Sequence, residues 1–371
     1  MKKYILYLLL ILFITSCKNK QDSYFYFKDD ADFFANNTGL SDTAFIGKQV
    51  FFDTSLSVPS GMSCASCHSP SSGFSDPRHS PFSVGADNKS IGNRNAITIA
   101  YNAFAPIRHG DMKNGVMESF GGFFWDGRAL LMIDQAFSPL FNKDEMNNTD
   151  FKSLANTIRK SYYYKDIKKL YEKYNLNDDQ TLLAFVSNAL VAFEQSKQVN
   201  SFTSKFDFYL AGKVKLTDEE MQGFLLFQDT AKTQCITCHT LDKNELSGKI
   251  LFTDFSYDNI GVPKNTHQNS LPLDSGLGGI ELRKPLEIGK FKSPSLRNVA
   301  ISAPYMHNGV FNSLEEVLEF YNERDINPKF KPEYPLTMNT TELGNLKLSQ
   351  DEIDALIAFL KTLTDGYKLQ Q

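Results

Sequence analysis

Two segments of the 371-residue chain place cysteine and histidine at a spacing that can hold an iron porphyrin. Both have the pattern C-x-x-C-H, in which two thiols three positions apart can form thioether bonds with the two vinyl groups of one haem. The histidine that follows can then bind the iron. The sequence therefore predicts two covalently bound haem c groups. The predicted attachment residues are Cys64, Cys67, His68, Cys235, Cys238 and His239.

Paired cysteines also occur in zinc sites, in redox-active thiol pairs and in disulfides. A zinc site does not require a histidine directly after each pair, and the long separation between His68 and His239 is unlike the usual zinc spacing. A redox-active motif seldom occurs twice with the same following histidine. These considerations favour haem attachment over the three alternatives.

The N-terminus has the features of an export signal. Two lysines precede an apolar run from Tyr4 to Ile14, which is short for a bilayer span. The four residues that end at Cys17 resemble a bacterial lipobox, although an ordinary cleavage site with an incidental cysteine would look similar. We expect residues 1–16 to be a lipoprotein signal peptide, Cys17 to carry lipid and residues 17–38 to be a tether. The protein would then be lipid-anchored to a membrane on the periplasmic side of the cell envelope, in an oxidising compartment.

Composition and charge narrow the classes of protein. With 39 Lys and Arg against 43 Asp and Glu, the net charge is −4, so the chain has no basic field for nucleic acid. A hydrophobic content of 42% is that of a globular chain. The length suits two or three domains and a large core that needs no disulfides.

The segment before each C-x-x-C-H motif is repeated. Residues 47–54 and 223–230 both read G-x-x-x-F-x-D-T, which predicts two copies of one domain type. A glycine costs about 1 kcal/mol relative to alanine inside a helix. Gly47 and Gly223 therefore indicate positions at which two helices approach each other closely.

Capping residues and apolar periodicity predict several helices. The second repeat begins with Thr217 as N-cap and Glu220 three positions later, and similar starts occur at Ser313 and Ser349. A further amphipathic helix is predicted over residues 178–196.

The remaining stretches contain long loops. Residues 59–102 and 259–293 are rich in Gly, Pro, Ser and Asn, and no strand pattern is evident. The predicted fold class is mostly α, with two cytochrome c-like domains that have long loops and one covalent haem each. We place these domains at residues 39–205 and 206–371.

Nine short segments along the chain carry a family resemblance. None of them is decisive alone, but their order and spacing together are specific. They are Ser63–His68, Asn93–Ala96, Phe124–Ala129, Gln135–Ala136, Pro139–Leu140, Glu145–Met146, Cys235–His239, Leu296–Asn298 and Ala303–Gly309. This combination resembles the bacterial diheme cytochrome c peroxidase family, which includes the MauG-like enzymes of methylamine utilisation. The resemblance covers roughly residues 39–361.

The resemblance implies different roles for the two haems. The N-terminal haem, with His68 as proximal ligand, would react with peroxide, and the C-terminal haem, with His239, would relay electrons to it. The family's tryptophan between the haems matches Trp125, and its distal glutamine and glutamate match Gln135 and Glu145. A glutamate can move a proton between the two oxygens of peroxide, and an amide can orient the peroxide. Without the resemblance, the three would be interpreted as a core tryptophan, a helix residue and a solvated carboxylate.

Two positions differ from the common peroxidase pattern. Where many members have a removable histidine on the N-terminal haem, this chain has Asp87, and the nearest histidine is His79. We expect this haem to lack a histidine lid; the alternative is that His79 reaches it from a longer loop. Where peroxidases usually have a methionine ligand to the C-terminal haem, this chain has Tyr321, as MauG-like enzymes do. A phenolate ligand lowers the reduction potential relative to methionine. In the alternatives, Tyr321 is a core aromatic or the nearby Met306 binds the iron.

The resemblance also implies a calcium ion between the domains. The family binds it through one side-chain amide and two backbone carbonyls, which match Asn95, Ser302 and Pro304. His109 and His267 match no family role and are interpreted as loop residues.

The implied function is that of an exported cytochrome-c peroxidase. It would reduce hydrogen peroxide to water with electrons from a small cytochrome or another redox protein, and the family suggests a homodimer. One alternative is a MauG-like enzyme that oxidises a protein side chain, which Tyr321 and the missing lid histidine favour. Another is a non-enzymatic diheme electron carrier, which has no need of Glu145 and Gln135.

Overall fold

The computed structural model describes residues 30–113, 115–266, 272–280 and 284–369. In these ranges the chain forms α-helices joined by long loops and short 3-10 turns, with two small antiparallel sheets. The predicted signal peptide, Cys17, most of the predicted tether and His267 lie outside the described residues. No helix of the described part is long and apolar enough to span a bilayer.

The helices and strands are numbered in chain order. The helices are α1 (Asp30–Ala35), α2 (Asp42–Phe51), α3 (Met132–Phe141), α4 (Phe151–Lys160), α5 (Tyr164–Leu170), α6 (Asp179–Glu194), α7 (Lys205–Leu210), α8 (Asp218–Gln228), α9 (Lys284–Glu287), α10 (Leu314–Glu323) and α11 (Gln350–Lys361). The strands are β1 (His109–Lys113), β2 (Val116–Phe120), β3 (Tyr257–Asp258) and β4 (Phe291–Lys292).

The helix starts expected from capping residues are confirmed. Helices α8 and α11 begin with complete capping boxes at Thr217 and Ser349. Helix α10 begins at the expected cap, Ser313, but its Glu316 carboxylate accepts a hydrogen bond from the backbone N of Asn312. In all three cases the local sequence supplies partners for backbone N–H groups that the helix itself leaves free.

The two halves contain the same pair of crossed helices. Helix α2 meets α6 at Gly47, where an added Cβ would lie 1.8 Å from the carbonyl oxygen of Ala189. Helix α8 meets α11 at Gly223, where an added Cβ would lie 1.9 Å from the carbonyl oxygen of Ala355. The predicted close approach at both glycines is therefore confirmed. It explains why the repeated sequence keeps a residue that otherwise weakens a helix.

Each helix pair is surrounded by its own cluster of buried apolar side chains. Phe193 lies in the first cluster and Phe359 in the second, and neither side chain is exposed. The first cluster also contains Leu251 and Phe255 from the second half of the chain. The first cluster therefore includes apolar side chains from both halves, so the two halves are in apolar contact with each other.

The sequence analysis predicts no strands, whereas the structure has two short antiparallel pairs. Strands β1 and β2 form a hairpin whose side chains are largely exposed, with Met112 at 58% and Val116 at 62%. Strands β3 and β4 have two residues each. Neither pair produces the apolar–polar alternation by which a half-buried strand is recognised. The hairpin contacts the second half: Lys113 Nζ donates to the carbonyl of Thr237 at 3.2 Å and pairs with Asp254 at 2.7 Å.

Candidate haem sites and the residues around them

The first C-x-x-C-H segment forms a single tight turn. The backbone N of His68 donates to the carbonyl of Cys64 at 2.9 Å, and the thiols of Cys64 and Cys67 are free. The Nδ1 atom of His68 lies 3.1 Å from the carbonyl oxygen of Phe74. A carbonyl can only accept, so Nδ1 carries the proton, and Nε2 keeps the lone pair that binds iron. The turn therefore fits a covalently attached haem with His68 as its ligand.

The second segment repeats this geometry. The backbone N of His239 donates to the carbonyl of Cys235 at 2.9 Å, and His239 Nδ1 lies 2.9 Å from the carbonyl oxygen of Phe252. The two phenylalanines that supply these carbonyls, Phe74 and Phe252, have left-handed backbones with φ of 62° and 56°. The two halves thus share more than the sequence motif, because in each the histidine Nδ1 faces the carbonyl of a left-handed phenylalanine.

A deep, mostly apolar cavity lies beside the second segment. Its wall includes both thiol-bearing cysteines, His239, and apolar side chains such as Leu356. Tyr321 and Met306 also line it, so both candidate ligands lie at this site. Burial raises the pKa of Tyr321 well above its ordinary value. For Tyr321 to bind iron as a phenolate, its hydroxyl would therefore have to lose its proton to the binding of the metal. The cavity fits a porphyrin with thioether bonds on one edge.

Trp125 lines the same cavity. Its side chain is 8% exposed, and its indole N–H donates to the backbone carbonyl of Asn95 at 2.9 Å. The next residue, Asp126, is paired with Arg94 at 2.6 Å and with Arg128 at 3.0 Å. These contacts hold the indole ring in one orientation at the contact between the two halves.

Glu145 lies beside the first segment, in the turn that follows α3. Its Oε2 atom is buried and has no hydrogen-bond partner. Burial raises the pKa of Glu145, and the charge of Arg128 opposes this rise. Burial also raises the pKa of the Cys64 thiol, and the charge of Glu145 adds to that rise. The Glu145 carboxyl therefore lies close enough to Cys64 to affect it electrostatically. Gln135 lies on α3, before Glu145 in the sequence, and its side chain is half-buried.

The two departures from the common pattern have clear local structures. The carboxylate of Asp87 accepts hydrogen bonds from the backbone N of Lys89 and of Ser90, so it closes a turn. His79 is exposed, and its Nδ1 lies 2.9 Å from the carbonyl oxygen of Ala303 in the second half. In this structure the ring of His79 is thus held at the surface between the two halves.

The three residues matched to calcium line one cavity. Asn95, Ser302 and Pro304 all belong to the wall of the cavity that Trp125 also lines. The backbone N of Asn95 donates to the carbonyl of His307 at 2.7 Å, which joins the loops that carry them.

Two buried residues beside the cavity, Lys292 and His307, have no role assigned from the sequence. Lys292 is 1% exposed, lines the cavity, and donates from Nζ to the carbonyl of Gly122 at 2.6 Å. Burial lowers the pKa of Lys292 to about 7. His307 is stacked on Phe291 at 3.6 Å, with Nε2 3.4 Å from a carboxylate oxygen of Glu333. No local pattern marks these residues, because their burial depends on loops that are distant in sequence.

Glu194 is another buried acid that the sequence did not single out. Glu194 is the last residue of α6, and its side chain is 5% exposed. The pKa of the Cys64 thiol is raised mainly by burial and next by the charge of Glu194. Burial raises the pKa of Glu194 to about 8. In the sequence it resembles any glutamate at the end of an amphipathic helix.

The pKa of Glu194 predicts a pH dependence of stability. A carboxyl whose pKa is raised in the folded state contributes stability below its unfolded pKa and loses that contribution as pH rises. The free energy of unfolding should therefore fall between about pH 5 and pH 8, by on the order of a few kcal/mol. Chemical denaturation across this range should show the fall in the wild type and a much smaller one in Glu194→Gln. The exposed Glu219→Gln is the matched control, and an unchanged slope in Glu194→Gln would contradict the prediction.

Comparison with known proteins agrees with this arrangement. The family described as di-haem cytochrome c peroxidase matches residues 41–215. The chain is 37% identical over 352 residues to the methylamine utilization protein MauG of Paracoccus denitrificans, covering 87% of this chain and 88% of that protein. It is 30% identical over 329 residues to the cytochrome c551 peroxidase of Nitrosomonas europaea, covering 87% and 80%. The solved structure of the diheme peroxidase BthA from Burkholderia thailandensis is similar at a TM-score of 0.78 and 31% identity, covering 88% of this chain and 86% of that one.

The chain belongs to the di-haem cytochrome c peroxidase family, whose members are oxidoreductases. Its two halves are cytochrome c-like domains, and family membership implies one covalent haem c in each. The predicted fold class and enzyme class are thereby confirmed.

Proposed function

We propose that this protein reduces hydrogen peroxide to water at the haem held by Cys64, Cys67 and His68. The observation that carries the proposal is the buried carboxyl of Glu145, whose Oε2 lacks a hydrogen-bond partner. Such a group is costly to bury and is typical of a residue that exchanges protons with a substrate. An electron carrier has no need of it, and relatives named as peroxidases support the same conclusion.

The proposed reaction uses two electrons and two protons for each peroxide and yields two water molecules. The haem iron, when bound, supplies the coordination position at which the O–O bond breaks. Glu145 accepts a proton from the nearer oxygen and returns it to the farther one as that oxygen leaves. Because burial raises the pKa of Glu145, its carboxylate is a stronger base than that of an exposed glutamate. The amide of Gln135 orients the peroxide.

In this proposal, electrons pass from the haem of His239 to the haem of His68 through Trp125. The indole lines the His239 cavity and is held by its hydrogen bond to Asn95. A small cytochrome or another redox protein is the proposed electron donor.

A second candidate is the oxidation of a protein side chain. Tyr321 lines the second haem cavity, where a tyrosinate ligand would stabilise ferric iron and favour strongly oxidised states. The relative that is 37% identical is named a methylamine utilization protein. This candidate requires a partner protein as the source of electrons.

Steady-state consumption of peroxide by the full-length diheme protein separates the two candidates. With a reduced small cytochrome c as the only reductant, the peroxidase proposal expects multiple turnovers of peroxide, matched by oxidation of two cytochromes per peroxide. If peroxide is consumed only when a second protein is added and is oxidised, the side-chain candidate replaces it. The absence of turnover in both assays would contradict both proposals.

Export, lipidation and calcium binding are further proposals. The apolar segment before Cys17 supports lipid attachment on the periplasmic side, which intact-mass analysis of the mature protein would test. The location of Asn95, Ser302 and Pro304 on the wall of one cavity supports a calcium site, which removal by a chelator and re-addition would test. The homodimer stays a prediction of the family resemblance.

The ligand role proposed for Tyr321 predicts a large change in the second haem. Tyr321→Met should raise the reduction potential of this haem by on the order of 0.1 V or more, since axial ligands span about 0.8 V. Spectroelectrochemistry of the two haems would measure the change. Tyr305→Phe is the control, because Tyr305 lines the same cavity but its hydroxyl donates to the carbonyl of Val299. Equal potentials in Tyr321→Met and the wild type would exclude ligation by Tyr321.

A further inference from the structure

Helix α1 packs directly on the loop that follows the first haem-attachment motif. Phe33 of α1 has no exposed surface, and its ring lies against Phe74 with centroids 5.6 Å apart. At the other end of the loop, Ser69 Oγ donates to the Asp30 carboxylate at 2.6 Å. The helix therefore contacts both ends of the loop from Ser69 to Phe74.

This loop supplies the carbonyl that orients His68. It is closed by hydrogen bonds from the backbone N of Phe74 to Ser69 O at 2.8 Å and from Ser69 N to Ser75 O at 3.0 Å. The backbone of Phe74 is left-handed, with φ of 62°, which is unfavourable for a side chain of this size. Such a conformation persists where packing enforces it, and here the ring of Phe33 provides that packing.

Lys48 on α2 fixes α1 in place. Its side chain has no exposed surface, and Nζ donates to the carbonyls of Phe33 at 2.6 Å and Asn36 at 2.5 Å and to Gln198 Oε1 at 2.9 Å. The ammonium also lies 4.4 Å from the centroid of the Phe33 ring. A cation at the carbonyl end of a helix satisfies acceptors that the short helix leaves free.

The second half has an equivalent helix before its own haem-attachment motif. Phe206 of α7 packs on Phe252, with ring centroids 5.5 Å apart, and the Phe252 carbonyl receives His239 Nδ1. There the helix is tied to α8 by an ion pair between Lys205 and Glu220 at 2.9 Å. Helix α1 thus occupies in the first half the place that α7 occupies in the second.

We propose that α1 is a brace for the first haem site and that Lys48 is a positioning residue for His68. Lys48 holds Phe33, Phe33 holds the backbone of Phe74, and the Phe74 carbonyl sets the orientation and basicity of the His68 imidazole. The first domain then includes α1, which lies before the boundary expected at residue 39. The proposal deepens the proposed function, since it rests on His68 being the ligand of the peroxidatic haem.

A weaker Nδ1–H···O=C bond makes the imidazole a weaker iron ligand. Lys48→Met keeps much of the side-chain volume but removes the ammonium. In the full-length diheme protein it should lower the iron–histidine stretching frequency of the reduced first haem in resonance Raman spectra. Amide hydrogen exchange over residues 69–75 should become at least about tenfold faster.

Lys205→Met is the matched control, because it removes a buried lysine that ties α7 to α8 in the second half, as Lys48 ties α1 to α2 in the first. It should speed exchange around residues 239–252 and leave residues 69–75 and the first haem unchanged. If both variants alter residues 69–75 equally, or if Lys48→Met alters neither the exchange nor the stretching frequency, the brace is excluded.

Asp30→Ala provides a second test that leaves the core and the side chains of the loop itself unchanged. It removes the acceptor of the Ser69 hydrogen bond but keeps the contacts of Ser69 Oγ with Ser71 inside the loop, and it should shift the same two measurements in the same direction, even if Lys48→Met fails to fold. An unchanged loop in Asp30→Ala together with an unfolded Lys48→Met would also overturn the proposal. Peroxide turnover by the wild type is measured separately, so failure of the proposed function is distinguished from failure of the brace.

Discussion

Replacing Glu145 by glutamine should slow peroxide cleavage by about 10²–10⁴-fold, which is the usual contribution of a general acid–base residue. The amide keeps the shape of the side chain but has no carboxylate to accept and return the proton. The Oε2 atom is buried and has no hydrogen-bond partner in the protein that could take over this role. Stopped-flow measurement of the reaction of the fully reduced diheme protein with peroxide would give the rate of this step directly.

Glu194→Gln is a closely matched control for this substitution. Glu194 is also buried, and the charges of both glutamates raise the pKa of the Cys64 thiol. The proposed mechanism uses only Glu145, so Glu194→Gln should leave the rate of cleavage within a few-fold of the wild type. Equal rates for Glu145→Gln and the wild type, with both haems attached, would exclude the assigned role.

The pKa of Glu145 predicts how the rate of peroxide cleavage depends on pH on the acidic side. Burial raises this pKa above the ordinary glutamate value, so the carboxylate is protonated and inactive as a base at a higher pH than usual. The wild-type rate should therefore fall on acidification at a higher pH than it would with an exposed glutamate as the base, and Glu145→Gln should lack this pH dependence.

Replacing Gly47 or Gly223 by alanine should cause the largest loss of stability among conservative substitutions in this chain. Each added Cβ would lie under 2 Å from a backbone carbonyl oxygen of the partner helix, at Ala189 and at Ala355 respectively. A backbone atom cannot rotate away, so the two helices must separate along the crossing. We expect a loss of at least about 3 kcal/mol in the free energy of unfolding, the upper part of the range for overpacking.

Thermal and chemical denaturation with haem content measured in parallel would test this prediction. Gly92→Ala is the control, since its nearest heavy atom would lie at an ordinary 3.6 Å. Because each glycine belongs to one half, Gly47→Ala should mainly affect the first haem and Gly223→Ala the second. A loss below about 1 kcal/mol for both variants would show that the helices separate easily at these crossings.

The haem-attachment residues and many helix starts could be predicted from the sequence because their chemistry is local. The thiols and histidine of a C-x-x-C-H motif lie within one turn, and the caps at Thr217 and Ser349 act on backbone groups three positions away. The repeated glycines were also informative, since a glycine in a helical pattern indicates that another backbone lies close. These features need no knowledge of the rest of the fold.

The environment of each functional group was decided by the tertiary structure. The pKa values of Glu145 and Glu194 are raised because their carboxyls are removed from water in the folded chain, which no local sequence pattern indicates. The same holds for Lys48, whose partners on α1 and at Gln198 are brought together only by the folded first domain. The sequence alone predicts which atoms attach haem, because covalent attachment depends on neighbours in the chain. The tertiary structure decided which carboxyls and cations are removed from water, because burial depends on neighbours in space.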